Sequence, residues 1–577
     1  MNRTSLLAAG LAALAACAPT VGPTSAGEPS PRPALATYAA DMVLRNGKIF
    51  LADDAGTIAQ AVALRDGKVV AVGSDADVAP LVGLRTQVTD LGGRFVTPGF
   101  NDAHLHFAPG GASLLDVQLL GATSLDTIAA RVKAAADSAR PGEWIQGRGW
   151  DQTRLPASQL TAVGWPTREV LDRAAPHNPV LLGRVDGHTA WANAEALRLA
   201  GITRTTPNPS GGEIVRDPAT GEATGILKES AAGLVERVVP APSAAQVRRA
   251  VNAALDLAAR TGVTSVQSEV DPTSLQVYRE MEHQGSLTVR IYGWLPLTME
   301  SIRGFRTLGE SAPFGDDWLR IGMLKGYTDG TLGSRTAYML EPFSDDPSTR
   351  GLPQYRDSQL DSLVAAADAA GLQVILHAIG DAANRQALNA FERAARANGT
   401  SGRRHRIEHA QVLDRADIPR FRQLGVIASM QPTHATSDMR WVETRIGHER
   451  AVEGAYAWRS LLNAGARVIF GTDFAVEPMN PMEGIYSAVT RQSREAPGTP
   501  AGGWLPEQKL TRVEAIRLYT AAPAYGEFQE ARKGTLQRGM LADLVVWDAD
   551  LLTIPEADIL KAHPWMTVVN GQVVYHQ

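Results

Sequence analysis

The chain has 577 residues, of which 44% are hydrophobic and 20% are charged, a composition that is ordinary for a soluble globular protein. Its 61 acidic and 56 basic residues leave a formal net charge of −5, which gives no sign of a nucleic-acid-binding surface. The single cysteine, Cys17, excludes an intrachain disulfide. The length allows one large domain with additions or roughly two to four domains.

The N-terminus predicts an exported lipoprotein. Arg3 precedes an apolar run at 6–16, which has the size of a signal-peptide core and is too short to span a bilayer. The run ends in Leu-Ala-Ala-Cys, which resembles a bacterial lipobox. We therefore predict a signal peptide over 1–17, lipidation of Cys17 and anchoring to the bacterial cell envelope. An ordinary secretory signal and a cytoplasmic protein are the alternatives. Residues 18–40, rich in Pro, Ser, Thr, Gly and Ala, are predicted to be a flexible linker.

Two all-β pieces lie at opposite ends of the remaining chain. Residues 41–95 contain Asn-Gly at 46–47 and Asp-Gly at 66–67, both hairpin turn signals between β-branched and apolar residues. Residues 530–577 repeat the pattern with Asn-Gly at 570–571. Neither piece alone is large enough for a good core. We therefore predict that they pair into one small composite β-sandwich.

The segment between these pieces, 96–529, alternates apolar strands with Ala- and Leu-rich helical stretches. The strand candidates are at 95–104, 263–269, 288–295, 319–327, 372–378, 404–410, 426–432 and 467–473. Eight strands alternating with helices predict an α/β fold, the TIM-like (β/α)₈ barrel. A stretch of about 109–240 interrupts the alternation after the first strand. We interpret it as an insertion over the mouth of the barrel.

Residue types that bind metals recur at the ends of the predicted strands. His104 and His106 end strand one, and their spacing puts both imidazoles on one face. The other groups are Lys325 late in strand four, His377 at the end of strand five, His409 at the end of strand six and Asp473 after strand eight. Barrel enzymes build their sites at these ends, so all the groups should converge. Histidine pairs, a carboxylate and a bridging group match the preferences of zinc.

Each group alone also has a structural interpretation. His377 could be a core histidine, and His405, earlier in the same strand and on the same face, competes with His409. Asp473 could be a helix N-cap, and Lys325 could be a salt-bridge partner. We predict a metal site because one site explains all of these positions together.

Several motifs resemble those of a known family. "TPGFNDAHLH", "LHAIGD", "RIEHAQ", "GTDFAVEP" and "GTLQRGMLADLVVWD" resemble the amidohydrolase superfamily. "GRGWDQTRLP", "VDGHTAWANAEAL" and "KGYTDGTLGSRTA" are similar to its amidohydrolase 3 branch, which includes N-substituted formamide deformylases. The resemblance covers roughly 41–577 and implies a metal-dependent hydrolase with a barrel and a composite β-sandwich.

The resemblance also implies a ligand set. It assigns one zinc ion to His104, His106 and Asp473 and a second to His377 and His409. Lys325, as a carbamate formed with carbon dioxide, would bridge them. Two dications about 3.5–4 Å apart repel and need bridging anions, which a neutral amine cannot provide. The apolar neighbours of Lys325 should depress its pKa towards the neutral amine that captures carbon dioxide. A single ion stays open.

The predicted reaction is hydrolysis of a non-peptide C–N bond in an amide, formamide or cyclic amide by metal-bound hydroxide. Asp473 would accept the proton and pass it to the leaving nitrogen. His188, in a motif similar to one that faces the site in the family, would hydrogen-bond the carbonyl or oxyanion, or else hold the insertion together. Asp102 is predicted to orient His104. The predicted pocket walls are Trp150, Asp151, Asp186, Tyr327, Arg335 and Gln431.

Two other functions stay open at this point. A related enzyme would hydrolyse esters, lactones or carbamates, and a non-catalytic lipoprotein would keep the barrel as a binding module. The complete ligand set counts against the second. The predicted partner is a small amide-type molecule. No nucleic acid is expected, a membrane is expected only through the lipid anchor, and a homodimer stays open.

Overall fold

The computed structural model describes residues 38–162, 164–308 and 313–577. The predicted signal peptide, Cys17 and most of the predicted linker lie outside these ranges. Within them, no helix has the length and apolar character needed to cross a membrane.

Eight parallel strands form the central sheet and follow one another in chain order. They are β1 (Phe100–Asp102), β2 (Val263–Glu269), β3 (Arg290–Pro296), β4 (Leu319–Tyr327), β5 (Gln373–Ala378), β6 (Arg406–His409), β7 (Ile427–Met430) and β8 (Arg467–Phe470). A short strand, Phe314–Gly315, adds to β4. The backbone N–H of Ala103 donates to Phe470 O at 3.1 Å, which links the first strand to the last. This nearly closed sheet confirms the predicted TIM-like barrel.

Helices connect the strands and share the largest apolar core with them. They are Phe107–Ser113, Ala244–Thr261, Pro272–His283, Met299–Leu308, Asp357–Ala369, Asp381–Asn398, Ile418–Leu424, Pro432–Asp438, Val442–Ile446, His448–Gly454, Trp458–Asn463, Pro481–Thr490, Arg512–Leu518 and Ala521–Gly526. The helix Ala244–Thr261 is an example of how the sequence sets both ends of a helix. Ser243 and Gln246 form a capping box at its start, and Gly262, with φ of 76°, ends it.

Two further sheets make the predicted sandwich from both chain ends. In sheet order, one contains Lys68–Gly73, Ala61–Arg65, Met42–Arg45 and Gln87–Asp90, and the other contains Gln572–His576, Pro564–Val569, Leu544–Trp547, Phe95–Pro98, Lys48–Phe50 and Ile58–Ala59. A short helix, Asp75–Val78, packs beside the first. Buried residues from both chain ends share one core, among them Leu44, Val62, Leu544 and Val568.

Two local predictions are corrected by the structure. The predicted first barrel strand is divided at Gly99: 95–98 pair in the sandwich, and only 100–102 pair in the barrel. A Cβ on Gly99 would lie 2.1 Å from Thr264 Oγ1, so the close approach at this crossover requires glycine. The Asn-Gly at 46–47 is not a hairpin turn, because its flanking strands belong to different sheets.

The insertion after β1 forms its own six-stranded sheet. In sheet order, the strands are Gly212–Arg216, Ala223–Glu229, Thr189–Ala192, Val180–Arg184, Ile145–Trp150 and Val117–Gln118. Its helices are Leu125–Ser138, Glu169–Ala174, Ala194–Leu199 and Gly233–Glu236. Arg148 and His188 of the insertion line the same cavity as His104 of the barrel. The insertion therefore covers the barrel mouth, as predicted.

Candidate metal centre

The predicted ligands meet in a cavity of about 850 Å³ at the barrel mouth. They are His104 and His106 after β1, Lys325 in β4, His377 in β5, His409 in β6 and Asp473 after β8. Lys325 Nζ lies 3.3 Å from His104 Nε2. Asp473 Oδ1 lies 3.3 Å from His106 Nε2 and 3.6 Å from His104 Nε2. The ring centroids of His377 and His409 are 4.5 Å apart. The fold thus brings groups from distant parts of the chain together.

Hydrogen bonds from behind orient the imidazole rings. His106 Nδ1 lies 2.9 Å from Glu269 Oε1, and His409 Nδ1 lies 2.9 Å from Gln431 Oε1. His377 Nε2 donates to the carbonyl of Gly330 at 3.1 Å. An oxygen acceptor behind one ring nitrogen fixes the proton there and leaves the lone pair on the other nitrogen. His377 and His409 are therefore held in tautomers that suit metal binding, and His106 would adopt such a tautomer once its second ring proton is lost.

The protonation states of most of the predicted ligands also suit metal binding. Burial holds the pKa of His104, His377 and His409 well below the usual value, so these rings are neutral. Burial opposes the charge of Asp473, but the adjacent His106 and the cationic charge of His434 and Lys325 outweigh burial and lower its pKa. His106 differs, because Glu269 and Asp473 overcome its burial and raise its pKa to about 10. A cation bound there would have to displace that proton.

Three of the described residues lie close enough together to bind a single metal ion. Donor atoms of His104, His409 and Asp473 all lie within 4.8 Å of one another, and the three residues are buried. Asp473 Oδ1 is buried without a hydrogen-bond partner among the described residues, although a buried carboxylate oxygen normally has one. Neutral imidazoles beside a carboxylate are the donor set that zinc takes. The residues present therefore fit a divalent cation of this kind.

Lys325 lies inside the same cluster. Its Nζ stands 5.6 Å from the ring centroid of Trp294 and 5.0 Å from that of Tyr327. Burial lowers the pKa of Lys325 to about 8, while Glu408 and Asp473 limit the fall. At pH 7 such a pKa leaves roughly a tenth of the amine neutral, far more than for an ordinary lysine, and the fall in pKa is the one that the sequence led us to expect.

The insertion contributes His188, whose Nδ1 lies 2.8 Å from Glu229 Oε2. Burial disfavours the charged imidazole, but Glu229 outweighs burial and raises the pKa of His188 to about 9. Its ring centroid lies 4.8 Å from that of His377. This places a protonated imidazole from the insertion against the barrel ligands.

Asp186 lines the cavity and also secures the loop that carries His188. Its Oδ2 accepts hydrogen bonds from Arg184 Nη1 at 2.5 Å, Thr331 Oγ1 at 2.6 Å and Ser334 Oγ at 3.0 Å. Its Oδ1 accepts from the backbone N–H of His188 at 3.1 Å. The carboxylate thereby ties the insertion to the barrel loop after β4.

Tyr327 and Asp151 also line the cavity, as predicted for pocket walls. Asp102 lies beneath the ligands. Its Oδ1 accepts from the backbone N–H of Thr472 at 2.8 Å and from that of His104 at 3.3 Å, so it joins the end of β1 to the loop after β8. This position matches the expected orienting role.

Three predicted pocket residues and one competing histidine do not line this cavity. Trp150 is buried in the insertion core, where its Nε1 donates to Leu182 O. Gln431 lies behind His409 and orients its ring. Arg335 turns away to pair with Asp345 at 2.9 Å. His405 precedes β6 and bonds Asp368, because four residues along a strand place it at the opposite end of the barrel from His409.

The sequence analysis missed three contributors to the site. Glu269 and Glu408 approach His106 and His104 from behind, with Glu408 Oε2 3.2 Å from His104 Nδ1. His434 also lines the cavity, with its Nε2 3.5 Å from Asp473 Oδ2. Its sequence signal was available, since His434 follows the predicted strand seven by two residues.

A (β/α)₈ barrel with buried histidines and a carboxylate at its C-terminal mouth has the architecture of a metal-dependent hydrolase. Comparison with known proteins narrows this class. The model of the amidohydrolase family, Amidohydro_3, matches residues 87–575. The chain belongs to this family, which confirms the resemblance seen in the motifs.

Individual relatives match nearly the whole chain. The chain is 35% identical to protein LONG AFTER FAR-RED 3 of Arabidopsis thaliana, over 93% of this chain and 92% of that protein. It is 28% identical to N-substituted formamide deformylase of Arthrobacter pascens, over 94% and 99% respectively. The crystal structure of an uncharacterized metal-dependent hydrolase from Pyrococcus horikoshii OT3 matches with a TM-score of 0.71 and 30% identity, covering 89% of this chain and 99% of that one. The first of these names does not denote an enzyme.

Proposed function

We propose that the protein hydrolyses a non-peptide C–N bond of an amide, formamide or cyclic amide. The observation that carries this proposal is the joint burial of His104, His409 and Asp473 in one cavity, with their donor atoms within 4.8 Å. Membership of the amidohydrolase family and similarity to a formamide deformylase support it.

The proposed ligand assignment keeps the two groups implied by the motifs. One zinc ion would be held by His104, His106 and Asp473, and a second by His377 and His409. Lys325 would bridge them after its neutral amine adds to carbon dioxide, forming an N–C bond and releasing one proton. Bound zinc would lower the pKa of a coordinated water from about 15.7 towards 7 and polarise the substrate carbonyl.

Asp473 is proposed to move the proton. Its carboxylate would accept a proton from the attacking water and deliver it to the nitrogen of the breaking C–N bond. The carboxylate of Asp473 is ionised, and its Oδ1 has no hydrogen-bond partner among the described residues, which leaves this oxygen available for the role. General acid–base catalysis of this kind contributes typically about 10²–10⁴-fold.

His188 is proposed to stabilise negative charge on the carbonyl oxygen. Glu229 holds its Nδ1, which leaves Nε2 available to donate, and the raised pKa keeps the ring protonated at neutral pH. A hydrogen-bond donor that is already positioned to stabilise an oxyanion typically raises kcat by about 10²–10³-fold.

His188→Ala is accordingly expected to lower kcat/KM by about 10²-fold or more, while metal content stays near that of the wild type. The measurement is steady-state kinetics together with metal analysis of the purified variant. His448→Ala is the control, because His448 is an exposed histidine whose side chain is 76% accessible. A loss of metal equal to that of His104→Ala would show that His188 acts on the ligands instead.

The proposed function is tested with N-formyl and N-acyl amines and their ester analogues, assayed on zinc-loaded and chelator-treated protein. Amide hydrolysis that chelation abolishes is the expected result. Preference for the ester of each matched pair would favour an esterase or lactonase. Absence of turnover in fully metal-loaded protein would favour a binding module.

We also propose that the protein is exported and lipid-anchored through Cys17. The support is the lipobox-like sequence alone. Labelled palmitate should enter the wild-type protein in a bacterial host and should not enter Cys17→Ser. A lack of label in the wild type would refute the anchor.

A further inference from the structure

Arg148 is a cavity arginine for which no ion pair is found among the described residues. It lies on the insertion strand Ile145–Trp150 and lines the cavity beside the candidate metal centre. Its Nη2 donates to Val185 O at 3.1 Å, and its buried Nε has no hydrogen-bond partner. Within the described part of the chain, no carboxylate oxygen lies within 4.0 Å of the guanidinium of Arg148.

The other arginines that line this cavity are all paired with carboxylates. They are Arg184 with Asp151 and Asp186, Arg440 with Asp151, Arg154 with Glu495, and Arg494 with Glu477 and Glu483. Among the described residues, Arg148 therefore differs from these arginines in having no carboxylate within 4.0 Å, although it is partly buried.

Partial burial of the Arg148 guanidinium is unfavourable in free energy. Burial lowers the pKa of Arg148, and the charges of Asp473 and Asp186 only partly oppose this effect. A guanidinium nevertheless stays charged in proteins, and a partly desolvated charge without a counterion is unfavourable. The planar fork of arginine matches a carboxylate in two parallel hydrogen bonds. A carboxylate on a bound molecule would satisfy the donors that the protein leaves free.

Arg148 also borders a second cavity of about 370 Å³, whose wall includes the apolar residues Leu114, Leu120, Leu257 and Met479. Glu477 and Glu483 also line it, but both pair with Arg494. A substrate whose carboxylate pairs with Arg148 could therefore place an apolar group in this second cavity. The two features together describe a molecule with a carboxylate next to an apolar side group.

We infer that Arg148 binds a carboxylate of the substrate, and that the preferred substrates are formamides or amides carrying a carboxylate and an apolar group beside the scissile bond. This inference rests on the proposed hydrolysis of C–N bonds. For an N-formyl substrate, water adds its oxygen to the formyl carbon, the C–N bond breaks, and the nitrogen gains a proton. The products are formate and the amine, which takes up the second proton of the water and leaves as the ammonium ion.

The test compares N-formylphenylalanine with N-formyl-2-phenylethylamine, which differs only in lacking the carboxylate. Binding to chelator-treated protein is measured by titration calorimetry, where no turnover occurs, and kcat/KM is measured on the zinc-loaded enzyme. The wild type should prefer the carboxylate in both measurements. Arg148→Gln should reduce that preference by about 10–100-fold, the range expected for losing a hydrogen-bonded charge.

Two further variants serve as controls for Arg148→Gln. Arg148→Lys keeps the charge but loses the fork, so it should retain part of the preference. Arg154→Gln removes an arginine of the same cavity that Glu495 already pairs, so the preference should persist. Thermal unfolding of each variant checks that it folds. If wild-type protein binds both compounds equally, or Arg148→Gln keeps the full preference, the inference is overturned. Selective binding without any hydrolysis would overturn the proposed function and leave the carboxylate site standing.

Discussion

Asp473→Asn is expected to lower kcat by at least about 10³-fold, because the substitution removes both the proposed proton acceptor and the charge proposed to orient the metal. The side chain keeps its size, so the barrel should fold. Part of the metal should remain, since the histidine ligands are unchanged. Added zinc should not restore activity, because the missing function is proton transfer.

His104→Ala is the matched variant for this prediction. Loss of His104 removes a ligand but leaves the carboxylate of Asp473, so metal binding should weaken and added zinc should partly restore activity. The decisive measurement is activity against zinc concentration for both variants, with metal content determined in parallel. Full rescue of Asp473→Asn by zinc, or wild-type metal affinity in His104→Ala, would contradict the assignment.

Lys325→Ala should lower kcat by at least about 10²-fold. Charge stabilisation by a metal ion is worth several kcal/mol, and each 1.36 kcal/mol corresponds to a tenfold change in rate. If a carbamate of Lys325 bridges two ions as proposed, its loss would leave two dications that repel each other, and the metal content should fall. Formate or acetate should restore part of the activity, because either supplies two carboxylate oxygens in the space left by the side chain.

Metal content and rate are measured with and without added acid, and the control is Lys228→Ala. Lys228 lies in the insertion and pairs with Glu213, so its loss should change neither metal content nor the response to formate. Wild-type metal content in Lys325→Ala, or equal stimulation of both variants by the acid, would rule out a bridging role.

The six residues predicted as ligands from strand-end positions all line one cavity in the structure. These positions could be predicted because an apolar run in the sequence indicates each strand. A parallel barrel then brings the C-terminal ends of all strands to one mouth. The predicted ranges of β2 and β4 match the structure, while β6 and β8 are shorter than predicted. The residues lost from β8 are Gly471, Thr472 and Asp473, which belong to the loop after the last paired residue of the strand.

The partners of the site residues were much harder to foresee. Glu269 lies 163 residues from His106, and Gln431 lies 22 residues from His409. Such pairs depend on how neighbouring elements pack, which local periodicity does not report. The same limit explains Trp150, whose motif suggested the pocket but whose indole packs against Trp165 and Trp191 in the insertion core.

From sequence alone we could infer the fold class, the family and the strand-end histidines, because each leaves a pattern within a few residues. Three-dimensional packing was required for the rest. It divided the first predicted strand between two sheets at Gly99, and it left Arg148 unpaired while every other arginine of the cavity gained a carboxylate. Burial and ion pairing are properties of the space around a side chain, and residues far apart in the chain create that space.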